Sequence, residues 1–166
     1  MGLTDQVHLF LVLLAVVGSG VVTGIFYGFS VIVMRGLATL SKPEAIRAMQ
    51  AINVVVINPW FFAIFMGTSG LSLGLLLAFS LDFRGGASIA VITGALIYIV
   101  GCFLVTGTRN VPRNDKLDKI SSEDEQSHSI WDSYLVEWTY YNHIRTAASF
   151  GAMLCYLLAA VVMLTS

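Results

Sequence analysis

Four stretches of this chain carry no Asp, Glu, Lys or Arg: Gln6 to Met34, Ala48 to Leu81, Gly85 to Thr108, and Thr146 to Ser166. Each meets the requirement of about 20 mostly apolar residues for a helix that crosses a bilayer. Hydrocarbon offers no water to the backbone, so runs of this length and continuity satisfy their N–H and C=O groups within a helix. Of the 166 residues, 57% are hydrophobic and 11% charged, under half the usual charged fraction. Four spans leave no room for a separate soluble domain. The expected fold is all-α, one domain over residues 1–166, a four-helix transmembrane bundle. Its spans fall at about 7–34, 54–81, 86–108 and 146–165, with a polar loop at about 109–130 and extensions of helices 2 and 4 into the cytoplasm.

The first span reads as retained. Its leader holds Asp5 and no Lys or Arg, and the uncharged run exceeds the apolar segment of a signal peptide. Lys and Arg set the orientation. Arg35, Lys42 and Arg47 follow span one, and Arg109, Arg113, Lys116, Lys119 and Arg145 lie between spans three and four. The opposite side offers Arg84 alone. This bias puts both polar connections in the cytoplasm and both termini outside, in a plasma or inner membrane. A net charge of −1 argues against nucleic acid as a partner. Cys102 and Cys155 lie inside spans without metal-ligand spacing and read as small core residues.

Local signals refine the walk. Gly20, Gly24 and Gly28 recur at four-residue spacing in span one, with a shorter version in Gly70 and Gly74, so close helix approach inside the bundle is expected there. Ser41-Lys-Pro-Glu44 reads as a capping box that starts a helix at about Lys42. That helix should run on into span two and bend at Asn58-Pro59. Leu81 to Gly86 is a tight turn, and Ser121 to His128 reads as a solvated loop.

Chemistry concentrates where polar residues meet the membrane. At 100° per residue, Trp131, Trp138, Asn142, Arg145 and Ser149 share one helix face. His143 points about 120° away from it. Gln50 and Asn53 share a face at the same depth, and Asn110 and Asn114 leave span three there. Polar groups from three stretches thus converge on one level, and a pocket open toward the cytoplasmic leaflet is expected. Each group also has a structural reading. Tryptophans anchor at membrane boundaries, Arg145 could reach lipid phosphates, and Asn110-Val-Pro-Arg-Asn114 could be a helix stop. An inward-facing Arg145 needs an acceptor, for which Asp115, Asp118 or an anionic ligand are the candidates.

These residues resemble the anthrone oxygenase family of small integral membrane proteins. The resemblance runs through Gly28-Phe29-Ser30, Met49 to Asn53, Asn58-Pro59-Trp60, Asn110 to Asp115, and Trp138-Thr-Tyr-Tyr-Asn142-His143-Ile-Arg145-Thr146. Tyr141 stands where the pattern leads one to expect tryptophan. The resemblance implies a four-helix membrane fold and oxidation of an anthrone methylene to a quinone carbonyl by dioxygen, with no metal or organic cofactor. Such chemistry needs flat walls, a base and oxyanion stabilisation. Trp131, Trp138 and Tyr141 would supply walls. Arg145 with Asn142, Asn114 or Gln50 would hold the oxyanion, Asn53 and Asn110 would line the site, and His143 or Asp115 would take the proton. The implied partners are the bilayer and a flat aromatic or quinone-like ligand.

Two other functions fit a small membrane bundle. A haem protein is one, but His8 and His143 sit at opposite ends, leaving a single axial His143. A non-enzymatic lipid- or quinone-binding protein or accessory subunit is the other. A transporter fits less well, since no span carries a deep ionisable residue.

Overall fold

The computed structural model describes Gly2 to Thr165. Among these residues there are five helices and no strand: α1 (Leu3–Leu37), α2 (Lys42–Val55), α3 (Pro59–Leu81), α4 (Gly86–Asp118) and α5 (Glu125–Thr165). All but α2 are long and apolar enough to cross a membrane, with mean hydropathy of 1.9 to 2.5 in their most apolar windows. α5 packs along α1 and α4, α4 along α3, and α3 along α1, which closes a four-helix ring. The outer surface carries large exposed apolar side chains, among them Phe10, Val17, Leu77 and Leu158, as expected of a lipid-facing bundle. Trp60 is 85% exposed at the start of α3, a placement suited to the membrane interface.

The helices are longer than the bilayer requires. At 1.5 Å per residue α5 extends about 60 Å, twice the hydrocarbon thickness of about 30 Å. Helix α4 also outruns its apolar stretch, so the polar loop expected at 109–130 shrinks to the connection between Asp118 and Glu125. Pro112 does not stop α4, because the wide π turns at Thr106–Asn110 directly precede it. A wide turn gives the proline ring room that a regular α-turn would deny.

Asn58-Pro59 ends one helix and begins another instead of bending one. Asn58 Oδ1 accepts from Trp60 N at 3.1 Å and Phe61 N at 3.0 Å, while its Nδ2 donates to the Val55 carbonyl at 3.0 Å. One side chain therefore closes α2 and caps α3. At the other end of the bundle, Gly85 turns the chain with φ +64°, which favours glycine. Arg84 beside it pairs with Asp5 and Asp82.

Of the evenly spaced glycines only Gly20 is closely approached, by Met153 Sδ of α5, 3.2 Å from an added Cβ. A Cβ added at Gly24, Gly28, Gly70 or Gly74 would meet nothing within 4 Å. Close approach occurs at Gly18, where a Cβ would strike the Thr68 side chain, and at Gly94 and Gly101. There it would stand 2.9 Å from Cys155 Cβ and 2.6 Å from Ala148 Cβ, respectively. Helix α5 seats on α4 through those two positions.

Two apolar cores result. The first fills the transmembrane ring around Phe26, Phe65, Leu75, Tyr98 and Tyr156. The second lies at the Arg-rich end, where Met34, Ile46, Met49 and Leu117 pack with Trp131, Tyr134 and Trp138. Helix α2 caps this second core. Gln50 Nε2 donates to the Leu117 and Ile120 carbonyls at 2.8 and 3.1 Å, acceptors that the end of α4 leaves open. Ion pairs Lys42–Asp132, Arg47–Glu123 and Arg113–Glu137 ring the cap. Exposed pairs of this kind are worth at most about 1 kcal/mol each, so the packed rings carry the docking.

Candidate functional site

The seam between the two cores holds the unusual backbone. Three π-helical segments occur among the described residues: Phe29–Val33 in α1, and Ile99–Leu104 and Thr106–Asn110 in α4. Such turns are rare and appear frequently at functional sites. Here they carry Ser30, Cys102, Thr106 and Asn110, and all but Thr106 are buried. Widening a turn rotates the residues beyond it by roughly 100°, and it leaves backbone acceptors for side chains to use.

Arg145 lies in this seam at 4% exposure. Its Nη2 donates to Asn142 Oδ1 at 2.5 Å and its Nη1 to Thr106 Oγ1 at 3.3 Å. Its Nε has no partner. The guanidinium covers the Phe26 ring at 4.0 Å and stands 5.1 Å from the Trp138 ring. No carboxylate pairs with it among the described residues; the ionisable groups nearby are the Cys102 thiol and the Tyr134 phenol, both uncharged near neutral pH. Asp115 and Asp118, expected as acceptors, are exposed instead. A buried cation without a counter-ion is costly, which makes Arg145 a candidate binding group for an anion.

Asn142, wholly buried, joins the helices around that cation. Its Nδ2 donates to the Phe26 carbonyl and to Ser30 Oγ, both at 2.7 Å. Next to it, Asn114 Oδ1 accepts from Tyr134 Oη at 2.9 Å and Trp138 Nε1 at 2.8 Å. Asn110 Nδ2 donates to the Trp138 carbonyl at 3.2 Å, while its Oδ1 is buried without a partner. Asn53 lies beside the Tyr134 hydroxyl, and its Nδ2 is likewise unpaired. Three buried polar atoms without partners thus surround the Trp138–Tyr134 pair. Native interiors hold few such atoms, and each calls for an explanation.

Flat rings bracket the guanidinium. Trp131, Tyr134 and Trp138 stack in series, with centroids 5.6 and 6.1 Å apart. On the membrane side Phe61, Phe65 and Phe103 stack at 5.6 and 6.0 Å, and Phe26 meets Phe65 edge-on at 6.2 Å. The guanidinium therefore packs between aromatic rings of α1 and α5.

The anthrone oxygenase family model matches residues 60–155, more than half of the chain. The chain belongs to the anthrone oxygenase family. No curated protein and no solved structure matches it. Within this anthrone oxygenase family member, the matched region contains Asn110, Asn114, Trp131, Trp138, Asn142 and Arg145. Phe26, Ser30 and Asn53 reach the same seam from α1 and α2, outside the matched region.

Not every residue singled out from the sequence lies in the seam. Trp131, Trp138, Asn142, Arg145 and Ser149 are all buried along one side of α5. Gln50 is engaged with the end of α4. Tyr141 faces another way and lies under Arg109 and Arg113, at 5.5 and 4.6 Å. His143 and Asp115 are exposed and make no contact with Arg145, so neither is placed to take a proton beside it. His8, beside Phe79 at 5.0 Å, belongs to the opposite end of the bundle. Sequence reasoning missed Tyr134, although it falls within about 60° of Trp131 on the same wheel. It also missed Phe26, Ser30 and Thr106, for which no local signal exists, because their partners are remote in the chain.

Proposed function

We propose that this protein oxidises a flat phenolic substrate of the anthrone class with dioxygen, in the seam between its two cores. The reading is carried by Arg145: a buried guanidinium with no carboxylate partner and a free Nε, between Trp138 and Phe26. Family membership supplies the substrate class.

The overall step turns a ring CH2 flanked by two arenes, plus dioxygen, into a ketone and water. Loss of one methylene proton gives an enolate whose charge rests largely on the existing carbonyl oxygen. Arg145 Nε and Nη2 would meet that oxygen and favour ionisation. The enolate passes one electron to dioxygen, and recombination of the radical pair forms the new C–O bond. Loss of the second C–H proton and cleavage of O–O then leave the carbonyl and water. With His143 and Asp115 exposed away from the cation, the field of Arg145 does the acidifying and the first proton departs to water. Trp138 and Phe26 hold the ring system flat. At the polar end of the bundle, which the Lys and Arg bias places in the cytoplasm, substrate would enter from the inner leaflet.

Purified protein in detergent or nanodiscs, given anthracen-9(10H)-one in an oxygen electrode, should consume one dioxygen per quinone formed and release no peroxide. Arg145→Leu should abolish this uptake. Co-purified quinone or lipid with no oxygen consumption would replace the enzymatic reading with a binding role.

A further inference from the structure

A second site lies on the outside of the bundle, where the end of α1 runs beside α5. The groove there has a volume of about 390 Å³. Arg35, Thr139, His143 and Ser30 line it in polar character, and Met34 and Val136 stand among its apolar walls. We propose that this groove binds the phosphate of an anionic membrane phospholipid.

Charge complementarity carries the assignment. Arg35 is exposed in the groove and makes no ion pair or hydrogen bond with any described residue, although five acids at the two ends of the bundle are paired. No Asp or Glu lines the groove. Thr139, on the same lining, has its Oγ1 buried without a hydrogen-bond partner. Ser30 Oγ accepts from Asn142 and gives its own proton to no described group. His143 adds an imidazole N–H. The lining therefore offers donors and no anion, the set that phosphate oxygens require.

Depth and shape select a lipid as the source. Arg35 stands where α1 passes from its apolar stretch to the polar cap, the level of lipid head groups. Below it Ile32 is 70% exposed and Val136 across the groove is likewise open, surfaces on which acyl chains can lie. The groove also borders the seam. Its Ser30 is one hydrogen bond from Asn142, which in turn holds Arg145. A seated lipid would brace the turn that positions Asn142.

The test is native mass spectrometry of protein released from phosphatidylcholine nanodiscs containing a minor fraction of phosphatidylglycerol. Wild-type protein should retain phosphatidylglycerol selectively over phosphatidylcholine. Arg35→Gln should weaken retention roughly tenfold or more, since charge-assisted hydrogen bonds are about twice as strong as neutral ones. Thr139→Val should weaken it less, and Ala38→Phe should block it by filling the groove with every charge intact. Lys116→Gln, exposed at the same end but outside the groove, should bind as wild type does. Equal retention of the two lipids, an Arg35→Gln variant that binds normally, or an equal loss in Lys116→Gln would overturn the proposal. Dodecanoate that displaces phosphatidylglycerol at equal concentration would overturn it too, by making the groove a site for carboxylates rather than phosphates.

Discussion

Replacing Arg145 with methionine should separate catalysis from stability. The substitution removes the bond to Asn142 Oδ1 at 2.5 Å and the longer one to Thr106 Oγ1 at 3.3 Å. Side-chain hydrogen bonds inside membrane bundles average about 0.6 kcal/mol, so their combined loss is near 1 kcal/mol. The ring contacts to Phe26 and Trp138 add about 2 kcal/mol, of which a thioether on the same faces restores roughly 0.3–1.5 kcal/mol. Against these losses stands the desolvation of a guanidinium without a counter-ion, several kcal/mol. Desolvation wins. Arg145→Met should unfold in denaturing detergent within about 2 kcal/mol of wild type, on the more stable side. Oxygen uptake on the same preparation should fall about 10²–10³-fold, the usual cost of losing an oxyanion donor. Tryptophan fluorescence during detergent titration gives the first number, and the oxygen electrode the second. A stability loss above about 3 kcal/mol, the range for breaking a buried charge pair, would refute the reasoning by making Arg145 a structural pin.

Asn114→Leu strips the shared acceptor from Tyr134 and Trp138; two orphaned donors should cost about 2–4 kcal/mol in a detergent melt, whereas Asn114→Asp keeps an acceptor and should melt near wild type. Gly101→Ala puts a methyl 2.6 Å from Ala148 Cβ and should destabilise by roughly 1–3 kcal/mol. In the same melt Gly24→Ala, with open space around it, should be neutral or gain up to about 1 kcal/mol of helix propensity. Glu44, held by Ser41 Oγ and Ser41 N, has its carboxyl lowered below 4.5, first by the Ser41 hydroxyl and then by its N–H. A lowered folded-state pKa stabilises above the ordinary carboxylate value and fades as pH falls through the lowered one. Relative to the intrinsic rate, protection of the amides at the start of α2 should therefore fall below that value in wild type, and Glu44→Gln should lack that pH dependence.

Much of the architecture follows from charge placement along the chain. Four uncharged runs and their polar joints mark the four long apolar helices, since hydrocarbon tolerates neither charge nor open backbone. They do not mark the ends: α3 starts only at Pro59, α4 runs on to Asp118, and α5 begins at Glu125. The face shared by Trp131, Trp138, Asn142 and Arg145 follows equally from helical arithmetic, because α5 runs unbroken through all of them. Extrapolation failed where backbone regularity failed. Asn58 caps instead of bending because its side chain reaches two N–H groups, a local choice that composition does not encode. The π turns of α4 carry the helix through Pro112, and the closest glycine contacts are at Gly18, Gly94 and Gly101, with Gly20 alone of the evenly spaced set packed against a neighbour.

The one-dimensional chain thus determined that this is a four-span bundle with an arginine and two tryptophans aligned where its last helix meets the polar layer. Only the tertiary structure decided that the arginine is buried without a carboxylate, between Phe26 and Trp138, and that His143 and Asp115 stand outside. Spans and faces come from solvent partition and the helical repeat, which act residue by residue along the chain. The partners of Arg145 come from α1, α4 and α5 together, and contacts across helices depend on the phase that each wide turn imposes.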